Sequence, residues 1–290
     1  MSKTKLSSIV AGTMNWGDWD KKLSTEEMQH TIHLCLENKI TSFDHADIYG
    51  GYTTEEQFGN AFKQSGIPRE QVQLISKCGI QYLAESRANT IKHYDYRKEY
   101  IIWSAEQSIQ KLQCDYLDVF LLHRPSPLMQ ADEIAEAIEY LKTNGMIRSF
   151  GVSNFTASQT ELIRQKTQIE FNQIQFSATY FEAMLDGSLD YMQLHGIQPM
   201  AWKPLGTVFR ENSSQTQRLK TLLERLTIKY EAGADTLLLA WILQHPSKII
   251  PVAGTVNPAR IQSLMKANTI TLDLEDWFAI WTESMGNKVP

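Results

Sequence analysis

Eight times along this chain a short apolar run is followed by a stretch with helical spacing, and no Pro- or Ser-rich linker interrupts the series. The runs are residues 7–11, 40–43, 72–76, 117–123, 147–151, 171–176, 198–202 and 249–253. The fourth, LDVFLLH, is almost continuously apolar, as a strand buried on both faces of a parallel sheet has to be. Parallel strands need helical crossovers, and eight of them can close without leaving an edge. The predicted fold is therefore α/β, a (β/α)8 TIM barrel forming a single domain over residues 1–290. A doubly wound open sheet competes, but no GxGxxG follows the first run where a nucleotide-binding version would place its phosphate turn.

The helical stretches carry their own punctuation. Ser24 with Glu27 three residues on is a capping box, and Met28, Ile32, Cys35 and Leu36 follow at helical spacing. Further helices are expected at about 54–64, 98–112, 129–142, 157–165, a stretch ending near 194, 216–230, 236–244, 258–267 and 274–285. Residues 78–97 are long, aromatic and polar, and read as a functional loop. Only about half a dozen residues precede the first run, so any hairpin before it is short or absent.

Bulk properties exclude several functions. A formal charge of -5 with scattered Lys and Arg argues against nucleic-acid binding. The longest apolar run, 237–243, is too short to cross a membrane, and the opening residues lack the order of a signal peptide, so a cytoplasmic monomer or small homo-oligomer is expected. Three cysteines without CxxC spacing point to reduced thiols, with neither disulfides nor a metal site.

In a barrel the residues at the C-terminal strand ends converge on one face. The run 40–43 stops at FDHADIYG, which places Asp44, Asp47 and Tyr49 there; Lys77 follows the third run, and His123 ends the fourth. Trp16 and Trp19 follow the first run and are expected to wall an apolar pocket together with Tyr82, which favours apolar or aromatic substrates. Asp47 receives no role.

These residues resemble the aldo-keto reductase family over 12–264. Its first signature is matched by Phe43-Asp44, Ala46, Tyr49 and EEQFG at 55–59, and its second by RSFGVSNF at 148–155. Its third is partly matched by VAGTVNPAR at 252–260, with Gly254 where many members carry a basic residue. The family's catalytic set falls on Asp44, Tyr49, Lys77 and His123. Carbonyl reduction by hydride needs a proton donor at the oxygen and a group that stabilises the developing negative charge. Tyr49 would donate the proton, Lys77 would favour the phenolate, Asp44 would orient Lys77, and His123 would hold the carbonyl.

No side chain delivers a hydride, so a nicotinamide cofactor is required. The resemblance implies that Ser153, Asn154 and Gln173 hold its carboxamide, that Trp202 stacks on its ring, and that Leu205 and Gly206 lie along the pyrophosphate. Lys203 adds charge near a phosphate or stays on the solvated rim. Thr255 and Arg260 match positions that bind a 2'-phosphate, so NADPH is preferred over NADH. The small-molecule partner is then a carbonyl substrate. Two alternatives stay open: a cofactor-binding regulatory or channel-subunit-like protein on the same scaffold, and a Schiff-base lyase using Lys77.

Overall fold

The computed structural model describes residues 4–289. In chain order the strands are β1 (Val10–Gly12), β2 (Ser42–Asp44), β3 (Gln73–Cys78), a short antiparallel pair β4 (Ile80–Gln81) and β5 (His93–Tyr94), then β6 (Leu117–Leu122), β7 (Ile147–Ser153), β8 (Phe171–Gln175), β9 (Gln198–Trp202) and β10 (Ile250–Ala253). All except β4 and β5 form one closed parallel barrel, in which β1 pairs with both β2 and β10. Every one of the eight apolar runs contributes a barrel strand. Strand β1 begins later than expected because Ser7 is tied to Ser42 Oγ and to the carbonyl of Ile9, at 2.9 and 2.6 Å, instead of to a ladder.

Ten helices surround the barrel among the described residues: α1 (Thr25–Glu37), α2 (Thr54–Gln64), α3 (Lys98–Leu112), α4 (Ala131–Thr143), α5 (Ala157–Arg164), α6 (Ser188–Leu194), α7 (Ser214–Tyr230), α8 (Ala234–Leu243), α9 (Pro258–Leu264) and α10 (Leu274–Met285). The Ser24–Glu27 box caps α1 as expected. The helix expected from 129 starts two residues later because Gln130 is extended, and α9 gives way to a 3-10 turn at Met265. Between β9 and β10 lie two helices. α8 is buried along most of its length, and its Trp241 stacks on Phe176 and Trp277 with centroids 5.6 and 5.1 Å apart. Truncating Trp241 to Ala would cost about 3–5 kcal/mol. α7 instead packs on α10, where Lys229 meets Asp273 and Asp276 at 2.6 Å each. No helix among the described residues is long and apolar enough to cross a membrane.

Two hydrophobic layers follow from the period of two along each strand. Outward residues such as Phe43, Leu74, Phe120 and Phe150 join the helices in the main core. Inward residues Val10, Ile75, Val119, Leu121, Phe171, Met200 and Val252 fill the barrel, with Leu6 beneath them. Among the described residues no hairpin precedes β1. Leu6 joins the inner cluster, and Thr4 hydrogen-bonds Ser149 and the carbonyl of Asp118 at the N-terminal strand ends. The helix layer is close enough that a Cβ at Gly59 of α2 would lie 2.0 Å from the carbonyl of Lys111 in α3. The three cysteines are free thiols.

Candidate active site

The same period carries inward residues up to the C-terminal rim. Two residues beyond Ser42, Ile75, Leu121, Gly151, Phe171 and Met200 come Asp44, Lys77, His123, Ser153, Gln173 and Trp202. Strand register alone thus gathers six side chains from six strand ends.

Lys77 is completely buried, and its Nζ donates to Asp44 Oδ1 and Oδ2 at 2.7 and 2.8 Å, to the carbonyl of His45 at 2.7 Å and to the Tyr49 hydroxyl at 3.2 Å. Burial alone would drive its ammonium toward the neutral form, but Asp44 and Tyr49 outweigh that and hold its pKa above the ordinary value. Gln173 Nε2 donates to Asp44 Oδ1 at 2.9 Å, leaving Gln173 Oε1 without a hydrogen-bond partner among the described residues.

Tyr49 comes from a turn. After β2 the chain keeps pairing with β3 through His45 N to Ile75 O and Asp47 N to Lys77 O, then reverses in a 3-10 turn in which Gly50 has φ 64°. The reversal returns the Tyr49 ring over the strand ends, 5.1 Å from Lys77 Nζ and 6.0 Å from the His123 ring. Burial pushes the Tyr49 phenol above its ordinary value while Lys77 pulls it down, so the net effect differs from the lowering that a nearby ammonium alone would produce. The phenol accepts from Lys77, and its own proton has no acceptor among the described residues. His123 makes no hydrogen bond through its ring among the described residues, and burial, followed by Lys77, Arg124 and Lys92, holds its pKa well below the ordinary value.

Beside this centre Asn154, in a left-handed conformation at φ 62°, accepts from Trp202 Nε1 and donates to Ser153 Oγ, both at 2.8 Å. Lys203 lies on the rim with its Nζ 5.5 Å from the Trp202 ring centroid. Gly206 has φ 54°, and a Cβ there would fall 2.0 Å from Thr179 Oγ1, so the loop carrying Leu205 and Gly206 packs directly on Ser177 and Thr179. Thr255 and Arg260 stand apart at the start of α9. Arg260 is exposed, and its guanidinium has no ion pair among the described residues.

One expected wall residue is misplaced. Trp16 does not line a pocket: it is 0% exposed, with its ring 6.2 Å from Phe43 and 6.0 Å from Phe58 in the helix layer. The loop turns so that Trp19, 39% exposed, meets the rings of Tyr49 and Tyr82 at 5.9 and 5.4 Å. Two other polar residues of FDHADIYG turn away from Lys77. His45 is buried against Phe58 with Nδ1 2.8 Å from Thr13 Oγ1, and burial takes its pKa down to about 3. Asp47 accepts from Ser104 and Tyr100 at 3.3 and 3.5 Å, and burial, reinforced by Glu55, raises its pKa to about 8. Sequence reasoning passed over Arg124, although its place directly after a strand-ending histidine marked it as a rim residue.

A closed parallel barrel with a lysine, a carboxylate, a tyrosine and a histidine at its C-terminal rim defines a class of barrel oxidoreductase. The sequence profile of the Aldo/keto reductase family matches residues 8–282, and the chain belongs to the aldo-keto reductase family. It is 40% identical to the uncharacterized oxidoreductase YcsN of Bacillus subtilis (strain 168), covering 99% of this chain and 97% of that one. It is 35% identical to a 6-dehydroglucose reductase of Agrobacterium fabrum, covering 99% and 97%. Among solved structures, a thermostable aldo-keto reductase in complex with the inhibitor epalrestat superposes with a TM-score of 0.82 at 25% identity, covering 98% of this chain and 100% of that one.

Proposed function

We propose that this chain reduces an aldehyde or ketone to an alcohol with NADPH as the hydride source. The observation that carries the reading is the Tyr49 hydroxyl, which receives a hydrogen bond from a fully buried ammonium at 3.2 Å while its own proton has no acceptor among the described residues. Such a phenol is poised to give its proton away. The adjacent His123 ring, without a hydrogen-bond partner among the described residues, supplies the hydrogen bond that fixes a carbonyl oxygen beside Tyr49.

The residues around the centre suit a nicotinamide cofactor. Gln173 Oε1 is an acceptor without a hydrogen-bond partner among the described residues, Trp202 is half-buried, and Gly206 allows close backbone approach. Ser153, Asn154 and Gln173 would hold the carboxamide, Trp202 the ring, Leu205 and Gly206 the pyrophosphate, with Lys203 adding charge beside it. The unpaired Arg260 and neighbouring Thr255 would take the 2'-phosphate. When bound, the nicotinamide supplies the hydride that goes to the carbonyl carbon. Tyr49 gives its proton to the carbonyl oxygen, Lys77 stabilises the phenolate left behind, and Asp44 holds Lys77 charged and in place. Because burial raises the Tyr49 phenol, it stays protonated across neutral pH, and because His123 is lowered, its ring stays neutral there. The relative named as a 6-dehydroglucose reductase supports carbonyl reduction as the reaction class.

The test is cofactor oxidation across a carbonyl panel with NADPH and NADH. Turnover with a higher kcat/KM for NADPH is expected, and Arg260→Ala should weaken NADPH selectively by about tenfold or more. A ratio favouring NADH overturns the cofactor assignment. No turnover of any carbonyl, with cofactor still bound, replaces the reductase with a cofactor-binding protein.

A further inference from the structure

Arg124 is a cation without an acidic partner among the described residues, at the edge of the catalytic centre. Its backbone is clamped by Tyr96, whose hydroxyl donates to the Arg124 carbonyl at 2.5 Å and accepts from its amide at 3.1 Å. That clamp fixes where the side chain starts, one residue beyond His123. The side chain is partly buried, makes no ion pair and no hydrogen bond among the described residues, and holds its guanidinium 5.5 Å from the Trp202 ring centroid. A guanidinium with five donors and no acceptor, on a partly buried residue, is an incomplete arrangement, complementary to a carboxylate or phosphate. The surroundings share that sign. The charges that act on His123 are Lys77, Arg124 and Lys92, all cationic. Lys77 is occupied by Asp44, whereas Lys92, next to β5, has no ion pair among the described residues. The acids of the loop after β1 are committed elsewhere, Asp18 to Thr53 and Gln57 and Asp20 to Lys21.

We propose that Arg124, assisted by Lys92, binds an oxyanion of the substrate, so that the favoured substrates are carbonyl compounds carrying a carboxylate or phosphate. This rests on the reductase reading and replaces the apolar preference expected from the aromatic wall: Trp19 and Tyr82 cover one side of the substrate while the cations read its charged end.

The test measures kcat/KM for two matched pairs, succinic semialdehyde against butanal and glyceraldehyde 3-phosphate against glyceraldehyde, in the wild type, Arg124→Met, Arg124→Lys and Lys92→Met. The expected anion-to-neutral ratio in the wild type is about ten or more for at least one pair. It should fall about tenfold in Arg124→Met, mainly through KM, recover in part in Arg124→Lys, and fall less in Lys92→Met. The pair with the larger ratio distinguishes carboxylate from phosphate. A wild-type ratio near one with brisk butanal turnover sinks this inference and leaves the reductase reading standing. An equal loss on both members of a pair in Arg124→Met reduces Arg124 to a support for Trp202. A raised KM for the cofactor with an unchanged ratio assigns it to the cofactor instead. No turnover of any of the four aldehydes takes both readings down.

Discussion

At the N-terminal end of the barrel a buried carboxylate, Asp118, holds Arg69 at 2.7 Å, and at the C-terminal end Asp44 holds Lys77 at the same distance. The two pairs are chemically alike and differ in what surrounds them. Arg69 also donates to the carbonyls of Val72 and Tyr116 at 2.9 and 2.7 Å and lies 4.1 Å from the Tyr116 ring centroid, while Asp118 Oδ2 accepts from the Leu74 amide at 2.9 Å. Those bonds close on backbone, locking strand ends together. At the other end the contacts of Lys77 lead to a tyrosine hydroxyl with an unused proton and a histidine ring with no partner. One ion pair completes the scaffold, and the other leaves a reactive group facing outward. A buried pair therefore does not identify a site; unused donors beside it do.

Lys77→Met tests the comparison most severely, because it should cost both properties. Carbonyl reduction should fall by about a hundredfold or more. The unfolding free energy should fall by about 3–5 kcal/mol, since Asp44 is left buried with only Gln173. Asp118→Ala should match that stability loss in a denaturant titration while kcat stays within about twofold of the wild type. A large loss of kcat there would erase the distinction between the ends.

A smaller effect concerns Asp47, three residues from Asp44 and likewise buried, but with no ion pair among the described residues. Its pKa in the folded chain, raised from 3.8 to about 8, means that the folded chain keeps a proton which the unfolded chain has released. This contribution to stability is present at acid pH and is lost as pH rises from about 4 to about 8. Asp47→Asn lacks that linkage, so its Tm should decline less than that of the wild type over this interval, by about 2–4 °C for each kcal/mol involved. Glu55, also raised by burial, keeps part of the slope. Parallel Tm profiles of the two proteins would contradict the assignment.

The barrel was legible in the sequence because its signal is periodic: each strand is a local apolar run, and alternation then dictates which strand-end residues face inward. Asp44, Lys77 and His123 needed no more than that, whereas Gln173 lay inside its apolar run and came only with the family resemblance. Trp16 and Trp19 did need more, since their loop has no period and its turn decides which ring enters the core. The hairpin of β4 and β5 within 78–97 escaped for a related reason, being only two residues on each side. Arg124 was hidden by its chemistry: an arginine in a sequence reads as a solvated charge until the structure shows that no acid reaches it. Asp47 drew no role from the sequence because burial without a cation is invisible in a string of residues.

The difference between the two ends is tested most directly by Tyr49→Phe, measured for both kcat/KM on a carbonyl substrate and unfolding midpoint in denaturant. The variant removes one oxygen and leaves the Lys77–Asp44 pair intact. Activity should fall by about 10²–10⁴-fold with the midpoint unchanged or raised. Retained activity, or activity lost together with the fold, would contradict it.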